Sequence, residues 1–401
     1  MTETVGNAAA VVADSPASRR LLNTGFVLGA FALGTSENVI AGMLPEISAG
    51  LGVSESKVGL LVTAYAVTVL FVGPLLTVAC APFGQKRVIG VLSTLYSVFA
   101  LVSALAPNFA TMFTTRVLAG TLHTTILVLF VLAAMRAAPP DKKASAAATV
   151  TLGLSVATVI GVPIGVFLAQ HVGWQAAFVL IAVLSVLSLV LVVGKLPGED
   201  VREPTSGLRS FAVLKRPDVL FGIFASALVS MAALTVVTYI VPFLTDGAGV
   251  APSAVAWILL AYGAGCVLGN HFGAKIANTS LTRALVVTTA ATAVALVLLG
   301  VVADSAVPAT IAATLVGLCY FSTFPPLNTW VATKAEGLSP SLALSLNSSA
   351  FNAGIAVAAW MGGAFLDSGH TYGGLPFVAV APAVLALVCA GILFWRNTTS
   401  E

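Results

Sequence analysis

KLPGEDVREPTSGLRSFAVLKRPD, residues 195–218, is the longest hydrophilic interval between the apolar stretches of this chain, and it parts them into two sets of six. Crossing about 30 Å of hydrocarbon takes roughly 20 mostly apolar residues in a helix. Such runs, broken at Pro, Gly and charge, fall at 21–44, 58–80, 88–106, 110–135, 146–170, 175–194, 219–243, 254–274, 284–303, 308–330, 341–365 and 376–395. The third and fourth are joined by the short turn Pro107-Asn108-Phe109, the fifth and sixth by His171–Trp174. The expected fold is an all-α integral membrane protein of twelve transmembrane helices. Its two six-helix halves, 21–194 and 219–396, would flank the 195–218 loop, with tails at 1–20 and 397–401.

Composition agrees. Of 401 residues, 58% are hydrophobic and 8% are Asp, Glu, Lys or Arg, against about 45–50% and about 25% in soluble domains. So few charges cannot cover a water-facing surface, so most of the outer surface must meet lipid. A net charge of +3 without a basic cluster interleaved with aromatics offers nothing to nucleic acid. Cys80, Cys266, Cys319 and Cys389 all lie in apolar stretches without metal-ligand spacing. They read as small core residues, with no disulfide framework and no metal site. Residues 1–20 lack the apolar run of a secretory signal. Arg19-Arg20 reads as the positive flank of the first membrane helix and not as a twin-arginine export signal.

Charge placement checks the helix count. With a cytosolic N-terminus, the inner segments hold Arg19, Arg20, Lys86, Arg87, Arg136, Lys142 and Lys143. They also hold Lys195, Arg202, Arg209, Lys215, Arg216, Lys275, Arg283, Lys334 and Arg396, sixteen of the 18 basic residues. Outer loops keep only Lys57, and Arg116 sits within the fourth helix. One missed or invented helix would move every later loop to the other side and scramble this asymmetry. Both termini are therefore expected in the cytosol, with the chain in the cytoplasmic (inner) membrane.

The halves also echo each other. Helix five carries GLSVATVIGVPIGVFLAQ and helix eleven SLNSSAFNAGIAVAAWMGGAF, small residues of the kind that let helices approach where lipid supplies no drive to pack. A short basic loop follows both helix two (Gln85-Lys86-Arg87) and helix eight (Lys275 to Arg283). Repeated halves about a midline loop suit a rocking transporter with substrate held between them.

Four segments carry a family resemblance. They are Gly34-Thr-Ser-Glu37 running into IAGMLPEIS and LGVS; Arg116-VLAG running to His123; Gly161-Val-Pro163-Ile-Gly165 with the later Gly173-Trp174; and Asn347-SSAFN-Ala-Gly354. Through them the chain, from about residue 21 to 396, resembles the twelve-helix drug:proton antiporters of the major facilitator superfamily. Within these it is similar to the chloramphenicol-resistance and arabinose (sugar) efflux branch. The resemblance implies proton-coupled export, a multidrug or antibiotic-resistance role, and a monomer. There are two departures. After helix two Ala81 stands where the family has an acid, although Gly84, Lys86 and Arg87 remain, and Asn278 replaces the corresponding acid after helix eight. Asn38 also stands beside Glu37 where the branch commonly has an aromatic.

Charge inside a membrane is costly, so a residue that keeps it is a functional candidate. Glu37 and Arg116 qualify, with His123 as a third titratable group. Glu37 lies seven residues before Leu44, roughly 10 Å below the outer end, and Arg116 six residues past Ala110, about 9 Å below the same surface. Arg116, Gly120 and His123, spaced i, i+4, i+7, share one helical face. Glu37 reads two ways, as the proton carrier or as half of a fixed Glu37–Arg116 ion pair that only sets packing. In the first reading, burial works against its charge and the guanidinium works for it. His123 is either a second proton group or a neutral imidazole hydrogen-bonded within the bundle.

Substrate contacts are expected from Asn38 and Tyr65 in the first half, and from Tyr239, Tyr262, Tyr320, Asn328, Asn347 and Asn352 in the second. A membrane pocket for an uncharged drug wants a few oriented polar groups on an apolar wall. The alternative for each is an interhelical hydrogen bond, worth about 0.6 kcal/mol on average. Gly84, Lys86, Arg87, Gly161, Pro163 and Gly165 are read as conformational, with Pro163 as a bend that permits rocking.

No GxxxxGK[ST] phosphate loop occurs and no cofactor is implied, so an ion gradient must drive the work. Scattered histidines and one buried carboxylate do not make an enzyme site. The leading reading is a proton-driven exporter of small, mostly neutral amphiphiles, with chloramphenicol the first to try. Efflux of a sugar or an endogenous metabolite is the alternative, and a membrane enzyme or sensor a remote third. The charge asymmetry makes a direct prediction. Reporters fused at 401 or placed in 195–218 should report cytosol, and reporters near 246 and 370 the outside. A reporter at 205 that appears outside would overturn the count of twelve.

Overall fold

The computed structural model describes residues 16–196 and 207–398, and helices are the only regular elements among the described residues. Residues 1–15, 197–206 (with Arg202) and 399–401 lie outside them, and with them parts of the expected tails and central loop. The first half comprises α1 (Pro16–Asn38), α2 (Lys57–Cys80), α3 (Gln85–Ala104), α4 (Phe109–Arg136), α5 (Pro140–His171) and α6 (Trp174–Lys195). The second comprises α7 (Pro217–Val237), α8 (Pro252–Thr279), α9 (Leu281–Val301), α10 (Ala306–Lys334), α11 (Pro340–Asp367) and α12 (Tyr372–Asn397). Each lies at the position of one predicted stretch. Among the described residues ten helices are long and apolar enough to cross a membrane by themselves, and an eleventh span arises if α1 is joined to the short helix Leu44–Leu51. The 28-residue α8 occupies the eighth predicted position.

The first stretch was expected to run straight to residue 44, but α1 stops at Asn38. A 3₁₀ turn, Val39–Gly42, follows, and the helix Leu44–Leu51 leaves at 76°. Pro45 explains the restart, since proline is favoured in the first helical turn, where its missing N–H costs nothing. Asn38 closes the last turn of α1 by donating from its amide to the Gly34 carbonyl at 2.9 Å.

α2 and α5 contain the same irregularity. A π turn at Thr68–Val72 precedes Pro74, and a π turn at Ala157–Gly161 precedes Pro163, with the proline six residues after the turn begins in both. Proline supplies no donor and crowds the carbonyl four residues back, and a π turn takes up the extra residue. In α2 the affected carbonyls find partners on other helices. Ser349 of α11 donates to Leu70 O at 2.8 Å, and Thr124 of α4 donates to Val69 O at 3.2 Å.

Several hydrogen bonds join the two halves at the end carrying Lys86, Arg136 and Lys334, called here the basic end. Thr77 of α2 bonds Ser345 of α11 at 3.3 Å. Asn270 of α8 accepts from Thr151 at 2.7 Å and donates to Ala148 O at 2.8 Å, both on α5. Asn278 pairs with Ser145, again across the halves. An exposed ion pair, Lys143 to Glu336 at 3.1 Å, lies at the rim.

Close helix approach depends on glycine at α8–α10. A Cβ on Gly269 would sit 1.9 Å from Leu318 O, and one on Gly273 2.0 Å from Ser322 O. Backbone oxygens cannot step aside as side chains can, so Gly269→Ala should force α8 off α10 at a cost of about 1–3 kcal/mol. The expected result is a clear drop in the thermal midpoint of the purified protein. Gly391→Ala, where a Cβ meets nothing within 4 Å, should leave it unchanged.

Candidate functional site

Gly120 lets the site form. A Cβ there would lie 2.2 Å from Thr68 Oγ1 and 2.9 Å from Tyr65 O, so the bare glycine admits α2 against α4. Tyr65 is thereby pressed into the Arg116–Gly120–His123 face. Its hydroxyl lies 2.7 Å from His123 Nδ1 and 3.3 Å from the hydroxyl of Tyr96 on α3. The Arg116 guanidinium sits 4.0 Å over the Tyr65 ring, and its Nη1 donates to Ser36 Oγ at 2.9 Å. Arg116 is only 1% exposed, and its Nε and Nη2 have no hydrogen-bond partner among the described residues. The aromatic face therefore supplies much of what holds this cation.

Glu37 follows Ser36 but points elsewhere, because successive helical side chains diverge by about 100°. Its Oε2 lies 3.9 Å from His123 Nε2, and its side chain is 28% exposed. Among the described residues no ion pair joins Glu37 to Arg116. The two charges that the sequence placed at one depth do share a site, but Ser36 and Tyr65 hold the guanidinium and leave the carboxyl free to face inward.

It faces a cavity of about 150 Å³ between the halves. One wall is Glu37, His123, Leu127, Val128, Val131, Thr151 and Leu154 from the first half. Opposite stand Tyr320, Phe324, Asn328, Leu344, Ser348, Phe351, Asn352 and Ile355. Phe324 stacks on Phe351 at 4.5 Å and on Phe321 at 5.0 Å, with Tyr320 edge-on to Phe324. These rings form an aromatic shelf. A cavity of this size holds a benzene-sized molecule, below the roughly 300–1,000 Å³ of ordinary ligand pockets. A larger solute would need the halves to part.

The other sequence candidates fall as follows. Asn328 and Asn352 line the cavity. Asn347 is fully buried and donates to Asn328 Oδ1 at 3.0 Å, so it orients that amide from behind. Tyr65 is buried behind His123 and does not line the cavity. Asn38 is exposed and bonded to its own helix. Tyr239 donates to Ala359 O at 2.8 Å and packs on Gly362, while Tyr262 packs on Gly317, and neither lines the cavity. Gly161 faces Thr35 of α1, and Gly165 faces Val39 in the 3₁₀ turn that follows it, beside Pro163 in the bend of α5.

After α2, the buried Ala81 and Gly84 lead into Gln85, which donates to Leu129 O at 2.8 Å and accepts from Arg136. Lys86 donates to Leu196 O at 2.7 Å and Arg87 is exposed. Tyr96 and Phe324 carry no expectation from the sequence, and Ser36, Ser348 and Phe351 fall inside segments that carry the resemblance without a role of their own. A signal for Tyr96 was present: Ser93, Tyr96, Ser97 and Ser103 recur at helical spacing on one buried face of α3.

A helical bundle in two sets of six, with one carboxylate and polar and aromatic groups facing a cavity between them, defines a polytopic transporter. The family model described as Major Facilitator Superfamily matches residues 26–338, and the chain belongs to that superfamily. It is a transporter, not an enzyme. It is 32% identical over 342 residues to the uncharacterized MFS-type transporter YfhI of Bacillus subtilis, covering 85% of this chain and 86% of that one. It is also 32% identical over 361 residues to the inner membrane transport protein YdhP of Escherichia coli, covering 90% and 92%. Among solved structures, the E. coli fucose:proton symporter FucP aligns with TM-score 0.75 over 94% of this chain and 98% of that one. The proton:xylose symporter XylE aligns with TM-score 0.73 over 93% and 95%. At 13% identity these likenesses show the fold alone.

The guanidinium geometry makes a prediction. A planar group lies over Tyr65 while one nitrogen reaches Ser36, and an ammonium cannot do both. Arg116→Lys should fold and reach the membrane but lose roughly ten-fold or more in transport, since cation–π contacts out of water are worth about 2 kcal/mol. Vesicle flux normalised to protein measures this, and unchanged flux would show that any cation suffices.

Proposed function

We propose that this chain is a proton-coupled exporter that exchanges protons for a small, mostly neutral amphiphile at the cytoplasmic membrane, with both termini in the cytosol. One observation carries the reading: Glu37 is the sole acid among the described residues lining the central cavity. A carboxyl there is reachable from the substrate space, and it is held by no ion pair with Arg116. Exchange needs such a group, able to lose its proton on one side of the membrane and regain it on the other. Among the described residues no Lys or Arg lines the cavity, and Arg116 is closed off behind Tyr65, so a strongly anionic solute would find no fixed counter-charge. An apolar wall, an aromatic shelf and the amides of Asn328 and Asn352 suit an uncharged ring compound bearing a few polar groups.

Exchange of one proton for a neutral solute moves charge inward, so membrane potential as well as a pH gradient would drive it. Chloramphenicol is the first compound to test, and sugars are the second class because the two amides and Ser348 could bind hydroxyls. Glu37→Gln keeps size and hydrogen bonding but cannot titrate. In cells lacking their own efflux pumps, the wild type should lower chloramphenicol accumulation until a protonophore is added, and Glu37→Gln should not lower it. Normal uphill export by Glu37→Gln would remove Glu37 as carrier. Sugar export with unchanged chloramphenicol accumulation would move the substrate to the second class.

A further inference from the structure

We propose that Tyr65 and Tyr96 are positioning residues, which fix the tautomer of His123 so that its Nε2–H faces the Glu37 carboxyl. The inference rests on Glu37 as the coupling group and adds what senses its charge. A neutral imidazole has one N–H, and the partner of one ring nitrogen decides where it sits. His123 Nδ1 is 2.7 Å from the Tyr65 hydroxyl, so one of the two donates. A phenol is the better donor, and the Arg116 guanidinium over the Tyr65 ring strengthens it by drawing electron density from the phenol. The Tyr96 hydroxyl, 3.3 Å from that of Tyr65, can then donate to the Tyr65 oxygen. With Nδ1 accepting, Nε2 carries the hydrogen and points towards Glu37 Oε2, 3.9 Å away. The reverse tautomer would set a bare Nε2 lone pair against an ionised carboxylate.

The consequence is selective. Ionised Glu37 is drawn to Nε2–H, although 3.9 Å is an electrostatic contact and not yet a hydrogen bond. Protonated Glu37 can offer that donor only a neutral carbonyl oxygen, a weaker acceptor than the carboxylate, and is freer to turn into the cavity. His123 thus reports the charge of Glu37 without itself becoming charged. The titratable or charged groups around the imidazole are Glu37 on α1, Tyr65 on α2, Tyr96 on α3, Arg116 on its own helix and Tyr320 across the cavity. None of the others supplies Nδ1 with a competing donor among the described residues.

The test is nitrogen-15 NMR of histidine-labelled protein in lipid nanodiscs, with His123→Asn assigning the resonance. The wild type should show His123 as the Nε2–H tautomer. Tyr65→Phe should give a tautomer mixture, Tyr96→Phe a smaller change in the same direction, and Tyr262→Phe none. Infrared titration of the protonated carboxyl band that Glu37→Gln removes should show a shifted pH midpoint in Tyr65→Phe. A wild-type His123 carrying its hydrogen on Nδ1 overturns the proposal and needs no variant to fold. An unchanged tautomer and midpoint in both folded Tyr→Phe variants also overturns it. If Glu37→Gln is uncoupled while those variants behave as wild type, only this proposal falls. If Glu37→Gln stays coupled, the reading of Glu37 falls and this one with it.

Discussion

A fixed charge inside a hydrocarbon slab must be held by groups the protein brings with it, and the first half is arranged around one such charge. Arg116 is buried at 1% exposure, with a tyrosine ring under its plane and one serine hydroxyl at its edge. For the ring to lie there, α2 must come within backbone contact of α4, which Gly120 permits. For the serine to lie there, α1 must carry Ser36 inward, which turns Glu37 towards His123 and the cavity. A cation, a glycine and a helix phase thus fix where the titratable carboxyl points.

The prolines of α2 and α5 belong to the same logic. Backbone groups released inside a membrane must be satisfied by protein, and α2 uses Thr124 and Ser349. Ser349 lies on α11, so the backbone irregularity of one half is closed by a side chain of the other. The bend is not an isolated hinge, because its hydrogen bonding is shared across the interface that must move during transport.

Much of this was legible in the sequence for physical reasons. Twelve apolar runs stand out because hydrocarbon thickness sets their length, and Glu37 and Arg116 stand out because membrane charge is rare. Pro163 was readable as a bend, but its accompanying π turn and the matching one before Pro74 were not, since an extra residue in a turn leaves no compositional mark. Depth placed Glu37 and Arg116 at one level, yet only side-chain direction could separate the residue that meets the guanidinium from its neighbour that does not. Tyr239, Tyr262 and Tyr320 look alike in sequence. Two pack on glycines of adjacent helices and one lines the cavity, a difference set by helix rotation within a bundle that is apolar all round.

The altered loops after α2 and α8 bear on how the halves part. Ala81 and Asn278 remove the acids that the resemblance leads one to expect. The interface at the basic end uses neutral bonds instead, at Thr77–Ser345, Asn270–Thr151 and Asn278–Ser145. Hydrogen bonds between membrane helices average about 0.6 kcal/mol, so this clasp sums to only a few kcal/mol. The ion pair at its rim, Lys143–Glu336, is exposed and adds about 0–1 kcal/mol. A proton taken up or released at Glu37 can bias an equilibrium of that size, because a ten-fold change in population needs only about 1.4 kcal/mol. A clasp of buried ion pairs would cost several kcal/mol per unpaired ion to open, more than one such event supplies. Neutral polar contacts at the basic end thus suit the proposed exchange, in which Glu37, the one acid among the described residues lining the cavity, tips the balance between two states.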